Sequence, residues 1–328
     1  MDFKDVIGQR EVIGSLERSL SEGRIGHAYI FSGPAGIGKK TIARIFAGLL
    51  LCEAPQDNTA CGSCKPCLML ENDSNPDYHS IICEELSIGV DLVREIQSDI
   101  ILKPMYSRRK VYIIEEAAKM TEQAQNCLLK TFEEPPGYAV VILLTTNYDK
   151  LLETVRSRAQ HLKFGKYSRE QVCKALEDRY GRDDGTFGLA ADYSDGNIGT
   201  ALELAGTGDF SSLREQMLEL LPWVAQGKAR SILDFSAFMD NNKENTDMLF
   251  EIMLLYYRDL LVMSETGTEN MLINSDKKDI ILNNARKYRS NRLISNIDAI
   301  GAARRALKQN ANYQLVIDNL LIRLREDH

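Results

Sequence analysis

A glycine-rich stretch near the N-terminus carries the residues with the clearest chemical purpose. Gly33, Gly38 and Lys39 have the spacing of the first three fixed positions of the phosphate-binding motif G-x-x-x-x-G-K-[ST], and Gly36 lies between the two glycines. The glycines let successive backbone N–H groups point at phosphate oxygens, and the lysine can reach the β- and γ-phosphates. The alternative is an ordinary glycine-rich turn. A strand-like run at 27–31 and a helical pattern after the loop favour a nucleotide-type loop.

The residues that would hold Mg²⁺ depart from this motif. Lys40 stands where a Ser or Thr hydroxyl normally binds the metal, and Thr41 lies one residue further on, about 100° round the helix. Glu115 replaces the usual Asp after a buried strand, and Glu116 occupies the place of a water-activating glutamate. Thr146 follows the next buried strand, where a γ-phosphate sensor could lie. We therefore expect at most weak, Mg²⁺-independent binding of ATP or ADP, with little or no hydrolysis.

Four of the seven cysteines lie close together, as Cys52, Cys61, Cys64 and Cys67. The two C-x-x-C steps put three sulfurs in one tight turn, and Cys52 can fold back as the fourth ligand. This spacing predicts a structural Zn²⁺ site, because four protein ligands leave no position open for water. Reduced or redox-active thiols are the alternative.

Composition limits the class of protein. The chain has 328 residues and a net charge of −7, which argues against broad nonspecific coating of nucleic acid. The basic run at 108–110 is a candidate DNA contact, although a solvated turn explains it as well. No apolar stretch is long enough to span a membrane, and the first residues lack the pattern of a signal peptide, so we expect a cytoplasmic protein.

The elements that must position these residues follow a simple order. Strand patterns alternate with helix patterns in the first half, which predicts an α/β sheet of the P-loop NTPase type. The second half has helical patterns only, with breaks expected near 241–242 and 267–268. We expect three domains: the α/β domain at 1–165, a small helical lid at 166–207 and an all-α domain at 208–328. The last could be a self-contained bundle or an assembly domain.

Several segments together carry a resemblance to a known family. HAYIFSGPAGIGKKT, the four-cysteine knuckle, VYIIEEAAKMTEQAQNCLLKTFEEPP, ILLTTN and SRA resemble AAA+ clamp-loader subunits of bacterial DNA polymerase III over about the first half of the chain. The resemblance implies that Arg158 is an arginine finger presented in trans to a neighbouring subunit's ATP. It also implies a collar role for 208–328 in a hetero-oligomeric ring with motor (τ or γ) and δ subunits. That ring opens a sliding clamp and loads it on primed DNA as a component of the DNA polymerase III holoenzyme.

Three features favour the stator (δ′) branch of this family over the motor branch. Lys40 and Glu115 break the metal site, and Gly199 stands where the motor subunits carry a sensor-2 arginine. The chain also ends without the long extension of a τ-type subunit. The rival hypothesis is an active motor-type subunit or another AAA+ ATPase, in which Thr41 or water completes the Mg²⁺ shell.

Overall fold

The computed structural model describes residues 2–82, 87–181, 185–206, 208–224 and 229–325. The chain divides into two compact units. The first contains Met1–Gln171 and the short segment Asn197–Gly199, and the second contains Val172–Gly196 and Thr200–His328. The predicted division into three domains stays a prediction.

The first unit is built on a parallel five-stranded sheet with the strand order β2-β3-β4-β1-β5. Its strands are β1 (Ala28–Ser32), β2 (Tyr78–Ile81), β3 (Lys110–Ile114), β4 (Ala139–Thr145) and β5 (Gln160–Lys163). Every residue of the three central strands is buried, as expected where helices cover both faces of a parallel sheet. The edge strand β5 has only Leu162 buried, and no pattern in the sequence predicted it.

Six helices accompany this sheet in the described part of the first unit. They are α1 (Arg10–Ser21), α2 (Lys39–Leu51), α3 (Lys65–Glu71), α4 (Val90–Ile100), α5 (Glu122–Glu133) and α6 (Glu153–Arg156). Apolar residues of α4 and α5, among them Val93, Ile96 and Leu128, pack in one core cluster with Tyr112 of β3 and Val141 of β4. This packing fixes the position of the central strands.

The carboxyl ends of the central strands bring the predicted site residues together. In the sheet register Ser32 of β1 pairs with Thr145 of β4, and Ile114 of β3 pairs with Leu143 of β4. Each of these strand ends is followed by one group of predicted site residues: the glycine-rich loop after β1, the acidic pair Glu115–Glu116 after β3 and the sensor position Thr146 after β4. They therefore meet at the edge where open α/β sheets bind their ligands.

Helix α7 (Arg169–Tyr180) begins in the first unit, and the described part of the second unit is helical. The remaining helices are α8 (Phe187–Tyr193), α9 (Ile198–Gly206), α10 (Phe210–Val224), α11 (Ala229–Asn241), α12 (Thr246–Thr266), α13 (Lys278–Ala285), α14 (Ser290–Lys308) and α15 (Tyr313–Arg325). The breaks after Asn241 and Thr266 were predicted. Those after Ala285 and Lys308 were not, and the expectation of continuous helix there was wrong.

A buried polar network joins elements of the second unit. Arg214, only 3% exposed, donates to both carboxylate oxygens of Asp276 at 2.9 and 2.6 Å and to Asn274 Oδ1 at 2.8 Å. Asn274 also accepts a hydrogen bond from the Tyr193 hydroxyl. Among the described residues, no helix has both the length and the apolar character needed to cross a membrane.

Candidate functional site

The glycine-rich loop borders an open cavity of about 340 Å³ at the carboxyl edge of the sheet. Gly38 precedes the first residue of α2 with φ of +98°, a backbone conformation that L side chains rarely adopt. The cavity brings together eight of the nine predicted nucleotide-site residues: Gly36, Gly38, Lys39, Lys40, Thr41, Glu115, Glu116 and Thr146. Gly33 does not line it.

Lys39 is folded back onto the loop that precedes it. Its Nζ donates to the carbonyl oxygens of Gly33 and Pro34, both at 2.6 Å, and the residue is 8% exposed. Burial lowers the pKa of Lys39 to about 8, because desolvation disfavours the charged ammonium. The side chain that would reach phosphate is thus present at the cavity but hydrogen-bonded internally.

Lys40 and Glu115, the two departures from the motif, form an ion pair. Lys40 Nζ lies 2.6 Å from Glu115 Oε1, and Glu115 also accepts a hydrogen bond from Ser80 Oγ at 3.1 Å. The residues present do not fit Mg²⁺, because the carboxylate that would orient the metal shell is bound to an ammonium group. Thr41 lines the cavity, but Lys40 occupies its motif position.

The other predicted polar residues have different surroundings. Glu116 has left-handed backbone angles (φ 49°), and its exposed carboxylate is ion-paired with Lys119. Thr146 is exposed at the rim of the cavity, directly after the buried Thr145.

The short segment Asn197–Gly199 lies directly on the phosphate-binding loop within the first unit. Asn197 Nδ2 donates to the carbonyl oxygen of Ala35 at 2.5 Å, and the Gly199 N–H donates to that of Gly36 at 3.0 Å. A Cβ at Gly199 would lie 2.7 Å from Gly36 O, so only glycine allows this approach. Gly199 occupies the place that resemblance gives to sensor-2 arginine.

The four predicted zinc ligands come together. The sulfur atoms of Cys52, Cys61, Cys64 and Cys67 lie within 4.8 Å of one another. The N–H of Cys61 donates to Cys52 Sγ and that of Cys64 to Cys61 Sγ, both at 3.3 Å, and such bonds stabilise thiolates. Backbone N–H groups of Ser63 and Cys64 lower the pKa of Cys61 to about 6. The cluster fits a metal that binds four thiolates.

Arg158 lies outside the cavity, just after α6. Its Nη2 is 3.0 Å from Glu133 Oε1, and its Nη1 donates to the carbonyl oxygen of Thr154 at 3.1 Å. The side chain is 38% exposed. Its guanidinium is therefore at the surface, held by the exposed Glu133 carboxylate and by the Thr154 carbonyl oxygen.

The structure also limits the candidate DNA contact at 108–110. Lys110 is 4% exposed and bonded to Asp99 through Nζ at 2.8 Å, so it cannot contact DNA as part of a basic surface. Burial of the side chain in the first position of β3 was not predicted from the basic run.

Three contributing residues were missed from the sequence. Ser80 supports Glu115, Glu133 holds Arg158, and Asn197 binds the loop. Asn197 had a local signal, since it lies two residues before Gly199, the position that corresponds to the sensor-2 arginine of motor subunits. Ser80 and Glu133 had none, because each acts on a residue 25 or more positions away in sequence.

Comparisons with known proteins agree over almost the whole chain. A family model described as "DNA polymerase III, delta subunit" matches residues 8–168. A second model, described as "DNA polymerase III, delta subunit, C terminal", matches residues 208–326. DNA polymerase III subunit delta′ of Bacillus subtilis is 30% identical over 97% of this chain and 96% of its own length. The tau subunit of Bacillus subtilis is also 30% identical, over 82% of this chain, but only 52% of its own length is covered.

A solved structure supports the fold. A gamma subunit-related protein from Thermotoga maritima matches with a TM-score of 0.51 and 19% identity, covering 95% of this chain and 98% of that one.

The parallel sheet, the glycine-rich loop and the acidic pair define a P-loop NTPase-like domain of the AAA+ type, joined to a mostly helical C-terminal region and carrying a four-cysteine cluster. With the full-length match to delta′ and the two family models, the chain belongs to the family of DNA polymerase III delta′ subunits. It is a clamp-loader subunit of DNA polymerase III.

Proposed function

We propose that this chain is the stator of its clamp loader. It supports ATP-dependent opening of the sliding clamp by other subunits and does not hydrolyse ATP effectively itself. The observation that carries this proposal is the Lys40–Glu115 ion pair, at 2.6 Å, in the place of the metal site. Phosphoryl transfer by P-loop proteins depends on a metal bridging the β- and γ-phosphates, and neither residue is available to hold it.

Arg158 contributes to ATP hydrolysis in a neighbouring subunit, where it acts in trans as an arginine finger. Its guanidinium is 38% exposed and held by surface contacts at 3.0 to 3.4 Å, so a neighbouring subunit's ATP can compete for it. A guanidinium at the transferring phosphoryl group stabilises the charge that develops there. The partners are motor (tau or gamma) and δ subunits in a ring, with clamp and primed DNA bound through the complex.

The remaining features support assembly. The four-cysteine cluster holds a structural Zn²⁺ that braces the segment after α2. Residues 208–326, matched by the C-terminal family model, form the collar that joins the ring. These roles place the chain with the replication machinery in the cytoplasm.

The test is steady-state ATP hydrolysis by motor and δ subunits mixed with this chain, in the presence of clamp and primed DNA. Arg158→Ala is expected to abolish turnover at the site it serves, since an arginine finger contributes about 10³ to 10⁵ in kcat. Arg24→Ala is the control, because Arg24 has an 84% exposed side chain distant in sequence from the proposed finger. Gel filtration of each complex shows whether the ring is intact.

Two results would contradict the proposal. Full stimulated activity with Arg158→Ala would remove the finger. ATP turnover by the isolated chain, abolished by Lys39→Ala, would instead support an active motor-type subunit or another AAA+ ATPase.

A further inference from the structure

The Lys40–Glu115 pair has a consequence for what the cavity binds. We infer that the loop takes a phosphate-bearing anion without Mg²⁺, and that the Lys40 ammonium supplies the positive charge that a metal would otherwise bring. This inference deepens the proposed function, since a site that binds phosphate without metal can be occupied and still not hydrolyse.

The Lys40 ammonium group is positioned both to pair with Glu115 and to bind a phosphate oxygen. Lys40 Nζ contacts Glu115 Oε1 at 2.6 Å, yet the lysine side chain is 55% exposed and lines the cavity. An ammonium group has three donor hydrogens, so one serves the carboxylate and the others can face a phosphate oxygen. Ser80 Oγ, at 3.1 Å from Glu115, helps to hold the carboxylate on its own side of the pair.

The charges around the cavity favour an anion. Two lysines, Lys39 and Lys40, line it, while its two carboxylates are each paired with a lysine: Glu115 with Lys40 and Glu116 with Lys119. The cavity also opens on the N-terminus of α2, thirteen residues long, whose first N–H groups have no partner inside the helix.

The same arrangement disfavours Mg²⁺. This ion requires oxygen ligands in a near-octahedral shell, and it is bound in such sites through one or two carboxylates together with phosphate oxygens. A divalent cation at Glu115 would have to displace Lys40 and then lie close to its ammonium. Reversing the two departures from the motif, with Lys40→Thr and Glu115→Asp together, should therefore exchange the built-in cation for a metal site.

Two kinds of ligand share the required chemistry, a nucleotide and an inorganic polyphosphate. Titration calorimetry of the full-length, zinc-loaded chain with ADP and with pyrophosphate separates them. Each ligand is titrated in buffer freed of divalent metals by a chelating resin, which spares the cysteine-bound zinc, and again with added MgCl₂. Equal affinity for both would show that the loop recognises phosphate alone, and tighter ADP binding would show that the nucleoside adds contacts; either supports a metal-free phosphate site.

The expected result is binding in metal-free buffer that Mg²⁺ leaves unchanged or weakens. Lys40→Thr should weaken metal-free binding about tenfold or more, the scale of one charge-assisted hydrogen bond. The double variant Lys40→Thr/Glu115→Asp should bind ADP more tightly when Mg²⁺ is added. Lys103→Thr, which removes an exposed lysine from the loop before β3, should match the unaltered chain.

Three outcomes would overturn the inference. They are absence of any phosphate-ligand binding in metal-free buffer, binding by the unaltered chain that Mg²⁺ tightens tenfold or more, and a Lys40→Thr variant that binds as the unaltered chain does. Matching thermal melts and zinc contents establish that the variants fold. None of these results depends on Arg158, whose test in the assembled ring decides the proposed function separately.

Discussion

Gly199→Ala tests whether the contact between Asn197–Gly199 and the phosphate-binding loop is a constraint on this site. The new Cβ would lie 2.7 Å from Gly36 O and 2.9 Å from Gly36 Cα, and both are backbone atoms that cannot rotate away. Overpacking of this kind costs about 1–3 kcal/mol, and loss of the hydrogen bond from Gly199 N–H to Gly36 O costs about 1 kcal/mol more. Alanine recovers up to about 1 kcal/mol of backbone entropy. The net expectation is about 1–3 kcal/mol of destabilisation.

Urea unfolding followed by circular dichroism, with hydrogen exchange of the peptides containing Gly36 and Gly199, measures this effect. Faster hydrogen exchange should be confined to those peptides. Trp223, the single tryptophan, lies in the second unit, and its fluorescence in the folded protein without urea should be the same in the variant and the unaltered chain. Gly137→Ala is the matched control, because nothing lies within 4 Å of its Cβ position. Unchanged stability and unchanged exchange in Gly199→Ala would refute the argument that only glycine fits.

Three further predictions concern the metal cluster, the loop lysine and the finger. Cys61→Ser should lower zinc affinity more than about 100-fold and lower the melting temperature, as measured by metal analysis and calorimetry. The control variant Cys127→Ser should keep its zinc. Equal zinc content in the two variants would contradict the four-thiolate site. Phosphate affinity should fall about tenfold from pH 7 to pH 9, because the pKa of Lys39 is lowered to about 8 and its charge is lost as the pH rises through that value. A flat profile in calorimetry would show that Lys39 does not act beside Lys40 as a phosphate-binding cation. Glu133→Gln should raise ring ATPase activity by at most about fivefold, since an exposed pair is worth about 0.2–1 kcal/mol; a loss of activity like that of Arg158→Ala would mean that Glu133 orients the finger.

The central α/β architecture was predictable because its signals are local. Each central strand is a continuous apolar run that ends in a polar group, and the glycine-rich loop lies between one such strand and a helix. The edge strand β5 was missed for the opposite reason. Only Leu162 of its four residues is buried, so its pairing with β1 stabilises a segment whose own sequence has no strand pattern.

The helix ends of the second unit show a similar limit. The break after Thr266 has a local cause, since Gly267 adopts φ of +62° there. The break after Lys308 also has a local cause, since Asn310 adopts φ of +61° and the Ala311 N–H donates to the carbonyl oxygen of Ala306 at 3.1 Å. The break after Ala285 falls in a sequence without glycine or proline. Packing among neighbouring helices decides where such segments end, and a single sequence does not reveal that packing.

The position where P-loop proteins bind Mg²⁺ shows most clearly a contact that the sequence alone did not reveal. Lys40 and Glu115 are 75 positions apart, and in the sequence they count as two separate losses from one motif. In the structure they are one ion pair, in which Glu115 is only 17% exposed. Changing Lys40 alone leaves that carboxylate without its cation, and changing Glu115 alone leaves an ammonium beside the phosphate site without its anion. A double-mutant cycle on metal-free phosphate binding should therefore be non-additive, because the two residues share one interaction. If the effects of the two substitutions on phosphate affinity simply added, the Lys40–Glu115 pair would be a surface contact without influence on the cavity. The proposed lack of Mg²⁺ binding would then need another explanation.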